Sequence, residues 1–129
     1  NTFGGNPVSA AVGKAVIQVI EGEGIEAGVA RVGAYTRAGL ETLQRRYEII
    51  GDVRGRGLFL SVDLVSDRDS RAPAKDAAHR MVNLLKSEGV LLSVHGRHDN
   101  VLKIRPPMVF DEANADRLLA ALDSCFAAL

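Results

Sequence analysis

Two short stretches of this chain carry residue types that can hold an anion. The first is TFGGNP, residues 2–7. Thr2 offers a hydroxyl, and Gly4 and Gly5 allow backbone angles closed to other residues, so a bulky group can come close to the main chain. Asn6 suits a helix N-cap, and Pro7 suits the first helical position, where a missing N–H costs nothing. The unpaired N–H groups of the first turn, with the partial positive charge of the helix end, would favour a phosphate in front of them. The same residues also make a plain turn and cap, since such glycine pairs mark loops more often than ligand sites. The second stretch is VLKIRPP, residues 101–107. In an extended strand Lys103 and Arg105 project to one face while Leu102 and Ile104 point to the other. Arginine grips a carboxylate or phosphate with two parallel hydrogen bonds and lysine supplies a point charge, so the pair is a candidate anion site; the alternative is a solvated strand face.

Other reactive side chains form no such pattern. His95, His98 and Asp99 fall in a turn without a second ligand pair, so no metal site is expected there. His79 sits on a helix and reads as a boundary residue, and Cys125 lies among apolar residues as a small core side chain. GDVRGRG lacks both the third glycine and the strand–helix–strand context of a dinucleotide fingerprint. No G-x-S-x-G nucleophile motif and no catalytic Cys/His pair is present.

The elements that must carry these residues follow from periodicity. From Pro7 to about Glu21, Val8, Val12, Val16 and Ile20 keep helical spacing, with Ala11, Ala15 and Val19 beside them. Gly22 and Gly24 interrupt it, and Ile25, Val29, Val32, Leu40, Leu43 and Tyr47 resume it. Either two helices or one bent helix results. IIGDVRGRG reads as a short strand or turn, and GLFLSVDLV alternates as a strand covered on one face, with Leu58, Leu60, Val62 and Leu64 inward. SDRDSRAP is a polar loop. A third helix runs from about Ala74 to Glu88 on Ala78, Met81, Val82 and Leu85, with Gly89 past its end. VLLSV and VLKIRPP form two strands joined by the turn HGRHDN, the second stopped by Pro106 and Pro107. Asp111 caps a last helix whose buried stripe is Leu118, Leu119, Leu122, Phe126 and Leu129. The sum is an α+β fold with a small, mostly antiparallel sheet backed by helices.

With 129 residues the chain fits one domain. Its 47% hydrophobic and 25% charged residues exclude a disordered or membrane-embedded class. Sixteen basic residues balance sixteen acidic ones, so no global field draws in nucleic acid or an anionic membrane surface, and any anion binding must be local. One unpaired cysteine and no signal-like start suggest a reducing, cytoplasmic setting.

TFGGNPVSAAVG, GDVRGRGLFLSVDLV and LLSVHGRHDNVLKIRPPMVF, followed by an amphipathic helix, together resemble the C-terminal part of the class III, pyridoxal-phosphate-dependent aminotransferases, over the whole chain. VLKIRPPMVF and RGRGLFLSVDLV look most like the branch holding the alanine-glyoxylate aminotransferase 2-like proteins and the ethanolamine-phosphate phospho-lyases. The resemblance implies the small domain of a fold type I enzyme that works as a dimer. Residues 1–6 would be a phosphate-cup loop, 7–47 a helical spine joining large and small domains, and 48–129 the α+β small domain. It implies pyridoxal 5'-phosphate as cofactor, with Thr2, Phe3 and Gly4 meeting the cofactor phosphate of the neighbouring subunit. Lys103 and Arg105 would meet an amine, amino acid or amino-phosphate substrate. The family's Schiff-base lysine belongs before the TFGG loop, and none of Lys14, Lys75, Lys86 or Lys103 matches it. The chain is therefore expected to be part of an enzyme, with no catalytic residue of its own. Many family members place arginine where Lys103 stands to bind a substrate carboxylate; lysine cannot reproduce that fork, which favours a phosphate or a substrate without a carboxylate. The expected activity is amino transfer from an amine or amino acid to a keto acid or aldehyde. The alternatives are a phospho-lyase acting on ethanolamine phosphate or a similar compound, and a noncatalytic dimerisation module.

Overall fold

The computed structural model describes residue 2 and residues 4–129. Four helices and five strands follow in the order α1 (Pro7–Gly22), α2 (Ile25–Arg46), β1 (Ile50–Arg56), β2 (Phe59–Asp67), β3 (Ala72–Pro73), α3 (Lys75–Ser87), β4 (Ser93–His95), β5 (Val101–Ile104) and α4 (Glu112–Ala127). The sheet order is β1-β2-β5-β4, with β3 on β2, and every pairing is antiparallel. This is the expected α+β architecture.

Interruption at EGEG produces two helices rather than one bent helix. Gly24 takes φ +62, a left-handed conformation that ends one helical run and opens the next. The two helices then behave differently. On α2, Val32, Leu40 and Leu43 are buried, whereas α1 has no buried residue and leaves Val8 72% and Val12 58% exposed.

One face of the sheet carries the core. Opposed pairs Val53–Val62, Leu60–Ile104 and Val62–Leu102 point inward to meet Leu40, Met81, Leu85 and Leu122 from the three helices α2, α3 and α4. The other face presents Arg54, Ser61, Lys103 and Ser93 in one row across four strands. The turn between β1 and β2 comes so close to α2 that a Cβ on Gly33 would lie 2.4 Å from the Gly57 backbone. Helices α2 and α4 run side by side in the same direction, joined by an Arg31–Glu112 ion pair, Tyr35 donating to Asp116 at 2.6 Å, and Arg46 and Tyr47 donating to Asp123 at 2.7 and 2.6 Å. Arg68 closes the far end of α2 by donating to the carbonyls of Gln44, Tyr47 and Glu48, satisfying groups that a helix end leaves open.

Four boundaries differ from the sequence reading. VLLSV is not a strand throughout: pairing begins only at Ser93 and extends to His95, and Leu91 is exposed. Within the polar loop, Ala72 and Pro73 pair with β2 across a bulge, a contact that Pro73 allows because a strand edge needs no donor from it. Leu58 is buried in the turn before β2 instead of in the strand. Leu129 follows the end of α4 and Leu119 is only half-buried, so the buried stripe runs through Ala115, Leu118, Ala121, Leu122, Cys125 and Phe126. The small residues Ala115 and Ala121 take positions that a reading based on large side chains passes over.

Candidate functional site

Strand β5 places Lys103 and Arg105 as its alternation predicts. Leu102 and Ile104 are buried on the core face, Lys103 is half-buried and Arg105 exposed on the other. Asn100 fixes the start of the strand: its side chain donates to Asp63 at 2.5 Å and to the Leu64 carbonyl at 2.8 Å, while its own carbonyl accepts from the Leu64 N–H. Pro106 and Pro107 end the strand, and the chain turns through Phe110 into α4, where Asp111 caps by accepting from the Asn114 N–H at 2.8 Å.

Between the end of β5, the Gly89–Ser93 segment and the first turns of α4 lies a cavity of about 690 Å³. Lys103 and Arg105 line it, joined by Arg117 from α4, and no carboxylate does. Its walls include Val90, Leu92, Ile104, Phe110 and Leu118. Lys103 stands between Ser61 and Ser93 on the neighbouring strands, so its flanking side chains are hydroxyls rather than acids. Arg54, also beside Ser61, differs: it donates to Asp52 at 2.8 Å and Asp63 at 3.0 Å, and those acids hold its charge more firmly. The Arg105 guanidinium lies 5.9 Å from the centre of the Phe59 ring, a contact that steadies it without neutralising it. The cavity therefore combines apolar walls with local positive charge, in a chain of zero net charge. It suits an anion at the end of a small organic molecule.

At the other end of the chain, Thr2 is exposed and Gly5 takes φ +81, with nothing within 4 Å of where a Cβ would stand. Phe3, named with them, lies outside the described residues. Asn6 caps α1 as expected, but its side chain accepts from the Val8 and Ser9 N–H groups at 2.9 and 3.3 Å. Two first-turn donors expected to face an anion are thus already engaged. A phosphate here fits the exposed Thr2 hydroxyl and the uncrowded Gly5 backbone, and not the helix turn itself.

None of the remaining candidates lines this cavity. His95 is half-buried in β4, His98 and His79 are exposed, and among the described residues no group of three or more His, Cys, Asp or Glu could hold a metal. Cys125 is buried in the core, and burial pushes its thiol pKa up, so it stays protonated. No helix among the described residues is long and apolar enough to cross a membrane. Arg117 is the site residue that sequence reasoning missed. Its one available signal was the lack of an acidic residue three or four positions away on its own helix.

Comparison with known proteins decides what this arrangement belongs to. Residues 1–126 match the family "Aminotransferase class-III". The chain belongs to the class-III aminotransferases. It is 46% identical, along its whole length, to the alanine–glyoxylate aminotransferase 2-like protein of Drosophila melanogaster, covering 26% of that protein. It superposes with a TM-score of 0.92 and 42% identity on a phospholyase from Arthrobacter in complex with phosphoethanolamine, covering 97% of this chain and 30% of that one. A PLP-bound amine transaminase from an uncultivated Pseudomonas species gives a TM-score of 0.89 at 31% identity, covering 99% of this chain and 29% of the other. This chain thus spans between a quarter and a third of the length of these relatives. Family membership implies pyridoxal 5'-phosphate as the cofactor. The exposed Thr2 and the uncrowded Gly5 backbone fit its phosphate.

Proposed function

We propose that this chain supplies the C-terminal part of a dimeric class-III enzyme that moves an amino group from an amine or amino acid to a keto acid or aldehyde. The observation that carries this reading is the cavity at the end of β5, where Lys103 and Arg105 meet apolar walls and no acid in a chain of this family. Bound pyridoxal phosphate supplies the electron sink that lets bonds next to the substrate nitrogen break. The residues of this chain bind and orient. Lys103 and Arg105 hold the anionic end of the substrate, and Ile104, Phe110 and Leu118 keep water from that end. Thr2, with Phe3 and Gly4, donates to the cofactor phosphate held by the neighbouring subunit. In the same reading, residues 1–6 form the phosphate cup, α1 and α2 form the spine towards the larger domain, residues 48–129 form the small domain, and the enzyme is cytoplasmic.

A second reading has a specific observation in its favour. Lys103 replaces a fork with a point charge, and the cavity lining includes cations and no carboxylate. Release of phosphate from ethanolamine phosphate, or from a similar amino-phosphate, would use the same site. The test supplies the full-length protein with phosphoethanolamine and no amino acceptor. Inorganic phosphate appearing with ammonia establishes the lyase. Turnover of an amine with pyruvate or glyoxylate, without phosphate release, establishes the transferase. Failure of both overturns the proposal.

A further inference from the structure

One row along from Lys103, the open face of the sheet carries two acids. Asp52 on β1 stands directly opposite Asp63 on β2, and Asp63 stands opposite Val101 on β5. Two carboxylates so placed repel each other unless a cation lies between them. Arg54 does so: its Nη1 donates to Asp52 Oδ2 at 2.8 Å and to Asp63 Oδ2 at 3.0 Å. One guanidinium against two carboxylates leaves one negative charge over. On β5 the next cation is Lys103, opposite Ser61 and two residues beyond Val101, which makes it the diagonal neighbour of Asp63. Diagonal neighbours lie about 7–8 Å apart, within reach of a long side chain. Yet among the described residues Asp63 forms an ion pair with Arg54 alone, and Lys103 forms none.

The other oxygen of Asp63 is taken by an uncharged donor. Asn100 is buried at 7% exposure, and its amide donates to Asp63 Oδ1 at 2.5 Å and to the Leu64 carbonyl at 2.8 Å. Its backbone carbonyl accepts from the Leu64 N–H at 2.9 Å, so main chain and side chain are both tied to β2. With Oδ1 and Oδ2 engaged by different donors, the half-buried Asp63 carboxylate is held in one orientation.

We propose that Asn100 is a positioning residue for anion recognition: together with Arg54 it locks Asp63 away from Lys103, so that the lysine charge stays available to the anionic end of the substrate. This rests on the reading that Lys103 holds that end. Without the Asn100 amide, Asp63 Oδ1 would turn to Lys103, and the resulting ion pair would compete with the substrate for the same charge.

A double-mutant cycle in the full-length holoenzyme tests this, with Asn100→Ala, Asp63→Asn and the two combined. Inorganic phosphate is the binding probe, and KM against kcat for phosphoethanolamine is the kinetic one. Asn100→Ala is expected to weaken phosphate about fivefold, the upper end for a partly exposed ion pair, and to raise KM by a similar factor with kcat little changed. In the Asp63→Asn background the same substitution should alter the phosphate constant by no more than about twofold, because the competing carboxylate is gone. Asn100→Ser, which keeps a short donor, takes the place of Asn100→Ala should that variant not fold, with the same expectation. Equal weakening in both backgrounds, as a general loosening of β5 would give, overturns the proposal, and so does an unchanged phosphate constant in Asn100→Ala. The lock and the functional reading fail separately. Coupled phosphate constants in a protein that turns over neither phosphoethanolamine nor an amine with pyruvate uphold the lock and sink that reading; turnover with uncoupled constants does the reverse.

Discussion

Helices α1 and α4 have the same length, sixteen residues, and opposite fates. On α4 the apolar side chains are buried against α2, α3 and the sheet, and its acids pair with α2. On α1 valine, isoleucine and alanine occupy most of the circumference, leaving Lys14, Gln18 and Glu21 on a narrow strip, yet nothing among the described residues covers it beyond a light contact with α2. A helix that is apolar nearly all round is a buried helix in the protein where it works. The difference teaches that residues 25–129 form a unit satisfied by their own contacts, whereas Thr2, Gly5 and the apolar surface of α1 are left uncovered among the described residues. The loop that would meet a cofactor belongs to the second kind, and the cationic cavity to the first.

Four measurements break or sharpen this contrast. The largest effect is expected in the core. Leu122→Ala, at a fully buried site, should lower the unfolding free energy of the 129-residue chain by about 2–5 kcal/mol in chemical denaturation. Val12→Ala on α1 should change it by no more than about 0.5 kcal/mol. Comparable losses at both positions would erase the distinction.

Next come two glycines that receive the same change with opposite signs. Gly33→Ala drives a methyl to 2.4 Å from the Gly57 backbone and should cost about 1–3 kcal/mol. Gly13→Ala meets nothing within 4 Å and should gain up to about 1 kcal/mol from helix propensity. If Gly13→Ala instead destabilises the full-length protein, a neighbour absent from this chain packs closely on α1 there.

The smallest effect is electrostatic. Lys75 donates to Asp99 at 3.0 Å, and that contact holds the Asp99 carboxyl below its ordinary value of 3.8. A depressed carboxyl adds stability that is fully present above about pH 4 and disappears as the pH falls through its lower, folded-state midpoint. Following Asp99 by NMR, Lys75→Ala should move the midpoint upward, towards 3.8; an unmoved midpoint would remove the ion pair from the account.

Much of this was legible before any coordinates. Period changes located all four helices, the β1–β2 ribbon and the face shared by Lys103 and Arg105, because alternation and helical spacing are local properties of the chain. What stayed hidden depends on distant partners. The short β3 pairing exists only because β2 passes beside Ala72 and Pro73. β4 begins only at Ser93, where pairing with Lys103 of β5 starts, and VLLSV does not announce that point. Arg117 comes to line the same cavity as Lys103 only through the placement of α4, fourteen positions further on, and no spacing rule links a strand residue to a helix residue at that separation. The Asn6 cap was foreseen, but its consequence, that it occupies donors once reserved for an anion, needed the geometry.

The central claim is that the TFGG loop reaches a cofactor phosphate belonging to the opposite subunit. Binding of pyridoxal phosphate to the full-length protein, followed by absorbance for the native sequence and for Thr2→Ala, tests it most directly. Loss of one hydrogen bond to a charged group should weaken binding about tenfold or more. Equal affinity in the two proteins would contradict the claim.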